Sequence, residues 1–364
     1  MLSGPAAASP APADRAAFAG PAVNPADDAW HYRAWADGRH DATYTEWWYF
    51  NFADSRTGVR AIFSYFVSNP ENILELAQVR MVAVAYTGQE TVTAMDSYPA
   101  GAFSAGEGQA DVTIGDETAG AGIAGAATVR VAGDGTYRIA GRSLDGRLAW
   151  DLTYSPEAAP WFAADRMQVG WLDWERMSWL VFMPRARVRG TLTVDGSPVS
   201  VNAPGYHDHN WGEWIPTDAL WNWAQFSSPR LALEIGDFIG KPAGLVSLDL
   251  GGERTIFTHD QYELVHTRWG WDRVNHLFYP VASRLIADNG SRRIEVTLRA
   301  LETAPLRGDL PWPLRDLIIY EQTARYEGAV WEPLASGEWR RVAWIRGIGF
   351  KEWTGRQSAI LPPR

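Results

Sequence analysis

Apolar and polar positions alternate along most of the chain in short runs, and turn residues cut the runs apart. A period of two places successive side chains on opposite faces of an extended strand, so the pattern predicts β structure. Ala61–Val67 and Leu74–Tyr86 read as extended runs. Ala127–Val131, Thr136–Ala140 and Arg147–Tyr154 read as a hairpin series joined at Asp134–Gly135 and Asp145–Gly146. Asp-Gly between alternating segments favours a tight hairpin, because the turn needs positive φ. Asp195–Gly196 marks a third such turn, between Arg189–Val194 and Pro198–Asn202, and Asn289–Gly290 a fourth, ahead of Arg293–Leu298. A second strand series comprises Leu231–Phe238, Ala243–Leu250, Arg254–Phe257, Tyr262–Thr267, Ser283–Ala287, Arg293–Ala300 and Trp339–Phe350. Helical patterns are scarce; Ala219–Phe226 and Asp316–Gln322 are the short helices expected.

The chain therefore reads as all-β. Sheets of many short strands must hide their edges, which favours barrels over open sheets. A length of 364 residues is generous for one barrel and ordinary for two domains. The expected layout is a disordered leader at 1–28, an N-terminal barrel at 29–205 and a C-terminal barrel at 206–364, with Pro311–Pro313 as a crossing linker. The leader is rich in Ala and Pro. Pro5, Pro10, Pro12, Asp14 and Arg15 interrupt any apolar stretch, so it does not read as a signal peptide.

Composition narrows the function classes. The net charge is −10 and no basic tract occurs, which argues against a nucleic-acid partner. No run reaches the roughly 18–20 apolar residues of a membrane span. There are no cysteines, so disulfides, thiolate catalysis and thiolate metal sites are excluded. The expected location is cytoplasmic, with peripheral membrane contact for substrate uptake; a cysteine-free chain also suits the periplasm. The oligomeric state leaves no trace in the pattern. Twenty Trp stand out. A packed aromatic core accounts for most of them, but pairs with spacers suit the wall of a cavity: Trp47–Trp48, Trp171 with Trp174, Trp221 with Trp223, Trp269 with Trp271. The expected partner is a large apolar small molecule.

Two segments carry the candidate chemistry. In Thr45-Glu46-Trp47-Trp48-Tyr49-Phe50, an extended chain puts Trp47 and Tyr49 on one face and Glu46, Trp48 and Phe50 on the other. Glu46 is costly to bury among aromatics without a partner; Arg60 and Arg80 are candidates for a structural ion pair. In Gly205-Tyr206-His207-Asp208-His209-Asn210-Trp211-Gly212, the faces are Tyr206, Asp208 and Asn210 against His207, His209 and Trp211. This segment reads either as a buried polar network that orders the domain junction or as an acid-base site facing an apolar cavity. His207 and His209 could ligate zinc, but His31, His40, His259, His266 and His276 supply no third ligand at diagnostic spacing, and no metal is expected. There is no Gly-rich phosphate loop and no Gly-x-Ser-x-Gly elbow, so no cofactor is expected either.

Glu46-Trp47-Trp48-Tyr49-Phe50, the segment Gly205–Gly212 and a closing Gly347-Ile348-Gly349-Phe350 together resemble the lipocalin-like superfamily of carotenoid 1,2-hydratases (hydroxyneurosporene synthases). Fungal decalin-forming Diels–Alderases and plant tocopherol cyclases are related to it. The resemblance spans about residues 30–355, and the form around Trp211 and His209 looks closer to the Diels–Alderase version. It implies two packed lipocalin-like barrels and cofactor-free chemistry on polyenes or isoprenoids.

Hydration or cyclisation of an alkene starts with protonation of carbon, which needs a carboxylic acid kept protonated by its surroundings. Asp208 is the first candidate and Glu46 the second, with His207 or His209 to reprotonate or orient the acid. Trp47, Trp48, Trp221 and Trp223 would stabilise a cation, each by roughly 0.5–2 kcal/mol, with Tyr206, Asn210 and Trp211 completing the substrate contacts. A pericyclic reaction would need only a shaped pocket and one donor, such as Tyr206, Asn210 or a Trp N–H, to polarise a carbonyl. A lipid or pigment carrier would need no chemistry at all.

Overall fold

The computed structural model describes residues 22–115, 126–307 and 317–356. The alternating segments pair into two curled antiparallel sheets, each a half-barrel. The first contains β1 (Tyr44–Ala53), β2 (Arg60–Ser68), β3 (Gln78–Tyr86), β4 (Thr91–Tyr98), β5 (Phe103–Ala105), β6 (Val112–Ile114), β7 (Ala127–Val131), β8 (Tyr137–Arg142), β9 (Leu148–Pro156), β10 (Trp161–Gln168), β11 (Arg176–Val194) and β12 (Ser197–Glu213). The second contains β13 (Trp221–Ser228), β14 (Leu231–Phe238), β15 (Gly244–Leu250), β16 (Glu253–Thr258), β17 (Tyr262–Asp272), β18 (Leu277–Asp288), β19 (Arg293–Arg307), β20 (Leu317–Pro333) and β21 (Trp339–Arg356). In the first sheet β1 joins two hairpin series by pairing with both β2 and β12. In the second, β13 plays that part between β14 and β21.

The four Asx-Gly turns expected above all lie in hairpins, with Gly135, Gly146, Gly196 and Gly290 at positive φ. Several expectations need correction. Ala219–Phe226 is not a helix: Trp221 to Ser228 form β13. Leu317–Gln322 opens the long strand β20, and Asp316 lies outside the described residues. The run from Leu74 begins as a loop, with Asn69, Asn72, Leu74 and Glu75 all at positive φ, before β3 starts at Gln78. Tyr206 does not open the second barrel, because β12 carries the first sheet on to Glu213. Residues 1–21 and Pro311–Pro313 lie outside the described residues. The last part of the expected leader is ordered: Asn24 caps a 3-10 helix over Pro25–Asp28, and Asp28 is fully buried.

Three cores explain why both faces of several strands are apolar. The first sheet wraps around Trp48, Phe50, Phe63, Tyr65, Trp150 and Leu152. The second wraps around Phe226, Leu233, Val246, Leu285 and Tyr326. A third cluster takes residues from both sheets, among them Tyr49, Val84, Trp179, Tyr206, Trp223, Phe238, Leu306 and Phe350. It forms the seam between the domains. The Arg60–Glu302 ion pair (2.5 Å) and the Tyr86 hydroxyl donating to the Glu321 carbonyl (2.9 Å) cross this seam. No helix of the described residues is long and apolar enough to cross a membrane.

Candidate active site

The two segments singled out above are neighbouring strands. In the β1–β12 ladder Glu46 lies opposite Trp211, Trp47 opposite Asn210, Trp48 opposite His209, Tyr49 opposite Asp208 and Phe50 opposite His207. Directly opposed residues share a face. One face therefore carries Trp47, Tyr49, Asp208 and Asn210 into the seam, and the other carries Glu46, Trp48, Phe50, His207 and His209 into the first barrel. Gly212 permits the tight β11–β12 approach. Its φ is +150°, and a Cβ there would sit 2.2 Å from the Arg176 carbonyl oxygen.

A cavity of about 230 Å³ lies in the seam. Its walls are mostly apolar: Trp47 and Tyr49 of β1, Phe66 of β2, Trp179 of β11, Trp214, Trp221 and Trp223, Phe238 of β14, and Leu306 and Ile319 from the second sheet. Trp47 and Trp221 face each other across the domains, their planes 18° apart with centroids at 6.5 Å.

Asp208 is the polar centre of this wall. Its Oδ2 accepts from the Tyr206 hydroxyl (2.8 Å) and the Trp179 indole N–H (2.9 Å), and its Oδ1 accepts from the Asn210 amide (3.2 Å). The β11–β12 ladder slips between Leu180 and Met183, just opposite Asp208; such bulges re-aim side chains. Burial pushes the Asp208 carboxyl up to about 6, against the hydrogen bonds of Tyr206 and Trp179 and the charges of His207 and His209, which hold it down.

Besides Asp237 of β14, two further acids line the same cavity, and neither was identified from the sequence. Glu321 of β20 and Glu352 of β21 are cross-strand partners. The Trp221 indole donates to Glu352 Oε1 at 2.6 Å. Burial, assisted by the charge of Asp208, raises Glu352 to about 7, against the Trp221 hydrogen bond. Burial and then the adjacent Glu352 hold Glu321 well above the usual carboxylate range. Neither has a motif around it, and Glu321 falls in the run read as a short helix, so only the pairing of β20 with β21 reveals them.

The opposite face of β1 and β12 holds a separate ionic network. His209 sits between two carboxylates, with Nε2 2.8 Å from Glu46 Oε1 and Nδ1 3.2 Å from Asp28 Oδ1. His207 contacts Asp28 Oδ2 at 3.0 Å through Nε2 and the Tyr49 carbonyl at 2.9 Å through Nδ1. The Tyr137 hydroxyl donates to Asp28 at 2.7 Å, and the Tyr44 hydroxyl donates to Glu46. Burial alone would raise Asp28 and Glu46, but the imidazoles around them lower both; the same carboxylates raise His209 against its own desolvation. His31 supplies the third histidine-cluster group that spacing did not reveal, so His31, Glu46 and His209 offer three potential metal ligands. Those atoms already contact one another through Glu46.

Of the residues expected in the site, Asp208, Asn210, Trp47, Trp221 and Trp223 line the cavity. Tyr206 lies beneath the wall and reaches it through Asp208. Glu46, His207, His209, Trp48 and Trp211 face away from it. Trp48 stacks on His209 and Trp211 on His31, at 4.4 and 3.8 Å. Glu46 pairs with histidines, not with Arg60 or Arg80. Among the other Trp pairs, Trp171 is exposed, Trp174 stacks on His40, and Trp269 packs on Trp353.

No family model matches the sequence, and no curated protein matches it. Solved structures do. The chain is similar to a protein described as AttH (NE1406) from Nitrosomonas europaea, with a TM-score of 0.67 and 16% identity over 96% of this chain and 99% of that one. It is similar to kievitone hydratase from Nectria haematococca, with a TM-score of 0.60 and 14% identity over 93% and 94%. It is similar to CghA, with a TM-score of 0.54 and 15% identity over 87% and 90%. At these identities the likeness is one of fold, and it runs along nearly the whole of each chain. This all-β, two-domain chain thus shares its lipocalin-like fold with these three proteins.

Proposed function

We propose that this protein is a cofactor-free enzyme that moves protons to and from a large apolar substrate, hydrating or cyclising a polyene or isoprenoid in the cavity between its sheets. The observation that carries this reading is Asp208, a buried carboxyl raised to about 6 and held by three donors in a mostly apolar wall. A carboxyl titrating near neutrality can exchange protons in either direction. The facing Trp47 and Trp221 rings provide π-faces for a developing cation. The name of one structural neighbour, kievitone hydratase, fits this reaction class.

Asp208→Asn keeps the size of the side chain and removes its proton chemistry. Turnover of acyclic isoprenoids, followed by mass spectrometry, falls by about 10²–10⁴-fold in this variant, the usual worth of a general acid or base. Binding of a fluorescent apolar probe such as N-phenyl-1-naphthylamine is retained. Wild-type rates in the variant would refute the reading and place any catalysis in the shape of the cavity, as for a cycloaddition. Retention of apolar molecules without turnover of any would make the protein a carrier.

A further inference from the structure

We propose that the proton delivered to the substrate comes from the Glu321–Glu352 pair, and that Asp208 works beside it as the base. This assignment rests on the proton-transfer reading above and divides its labour between named groups.

Asp208, Glu321 and Glu352 line one cavity together with Asp237, but they differ in what surrounds them. Asp208 accepts hydrogen bonds from three donors, with two histidines of the ionic network on the far face of its own strand. That setting suits an anion. Glu321 and Glu352 face each other across β20 and β21 and hydrogen-bond one another, and the Trp221 indole donates to Glu352. The Glu321 Oε2 is buried without a hydrogen-bond partner among the described residues. The charges that act on the two glutamates are their own and that of Asp208, with no cation of the described residues among them. Two carboxylates so placed cannot both ionise, and the pair retains a proton. Because Trp221 supports negative charge on Glu352, the proton resides on Glu321. The shifts agree in direction: burial raises all three carboxyls, and the adjacent Glu352 adds to the rise of Glu321. Other ionisable groups facing the cavity are Tyr49 on β1, Arg80 on β3 and Asp237 on β14. Asp237 is occupied by Tyr262 and Asn222, Glu234 is buried behind the wall, and Lys351 points to the other face of β21 toward Gln322 and Pro280.

The chemistry balances. In hydration the Glu321 O–H bond breaks as a C–H bond forms, the substrate π bond supplies the electron pair, and the adjacent carbon becomes cationic. A water oxygen bonds that carbon and gives its proton to the Asp208 carboxylate. Return of this proton from Asp208 to the pair closes the cycle, with one water added and no redox change. In cyclisation Asp208 takes a proton from the final carbocation instead of from water.

Infrared difference spectra of the whole protein, titrated from pH 5 to pH 9, read the proton directly. The expected result at pH 7 is a protonated-carboxyl C=O band that loses about one carboxyl equivalent in E321Q/E352Q and persists in D208N. If the double variant does not fold, the single variant E352Q shifts the titration midpoint of that band instead. An unchanged band in a folded double variant, or an unmoved midpoint in E352Q, overturns the proposal. Rate profiles give the second readout: E352Q moves the alkaline limb and leaves the acidic limb in place. If D208N is inactive while both single glutamate variants keep the wild-type profile, the pair is not the donor, although the proton-transfer reading stands. If no isoprenoid is turned over, that reading fails, and the infrared result still decides whether the pair holds a proton.

Discussion

Replacing Asp28 by asparagine tests whether the histidine network is an interdependent charged unit. Asp28 is fully buried and touches both His207 and His209, and the Tyr137 hydroxyl donates to it. The introduced amide keeps an oxygen for Tyr137, and the backbone carbonyl that accepts from the Trp48 indole (3.0 Å) is untouched. What disappears is the negative charge facing two imidazoles. Removing one partner from a buried charged pair costs about 3–5 kcal/mol. At about 2–4 °C per kcal/mol for a domain of this size, the first domain should melt roughly 6–20 °C lower. Scanning calorimetry at pH 6 measures this. The gap should narrow in acid: a carboxylate with a lowered pKa contributes fully above its ordinary value of 3.8, and that contribution is lost as pH falls through the lowered value. A variant melting within about 2 °C of wild type at pH 6 would refute the reasoning, because so small a shift corresponds to no more than about 1 kcal/mol.

Two other predictions concern titration and packing. His209 has a raised pKa, so its contribution is complete below its ordinary 6.5 and fades as pH rises through the folded value. Asp208 (about 6), Glu352 (about 7) and Glu234 (about 8) act in the same direction, since buried acids with raised values favour the fold while protonated. Global stability by urea titration should therefore decline steadily from about pH 5 to pH 8, in the window these shifts define; a flat or rising curve would contradict the shifts. Gly236 lines the cavity against Trp179, and a Cβ there would lie 2.4 Å from the indole ring. Gly236→Ala should displace Trp179, remove its hydrogen bond from Asp208 and raise the Asp208 titration midpoint, as read by infrared or by NMR of labelled Asp; an unchanged midpoint would show that Trp179 does not tune the acid.

Much of the fold was legible because it rests on local rules. Period-two alternation and Asx-Gly turns located the hairpins, and strand parity alone sorted Asp208 from His207 and His209. What parity could not say was which face meets which compartment. Glu46, Trp48 and Trp211 look like cavity residues in sequence, since an acid among aromatics is costly without partners. The partners, Asp28 and His31, come from the segment ahead of the first strand, where the Ala- and Pro-rich pattern hid a short capped helix. The helix expected at Ala219–Phe226 failed for a related reason: that strand meets a neighbour on both edges and packs on both faces, so its polar and apolar residues do not alternate cleanly. Glu321 and Glu352 were invisible because their meeting depends on the register of a long hairpin whose turn lies far from either residue.

Proton transfer to carbon in the cavity between the sheets leaves an isotopic mark on the product. Wild-type protein is incubated in heavy water with acyclic isoprenoids, and the products are analysed by mass spectrometry and NMR. One deuterium should be fixed on carbon in each turnover, and the labelled product should be lost in D208N. A product formed at full rate without carbon-bound deuterium would contradict proton transfer to carbon.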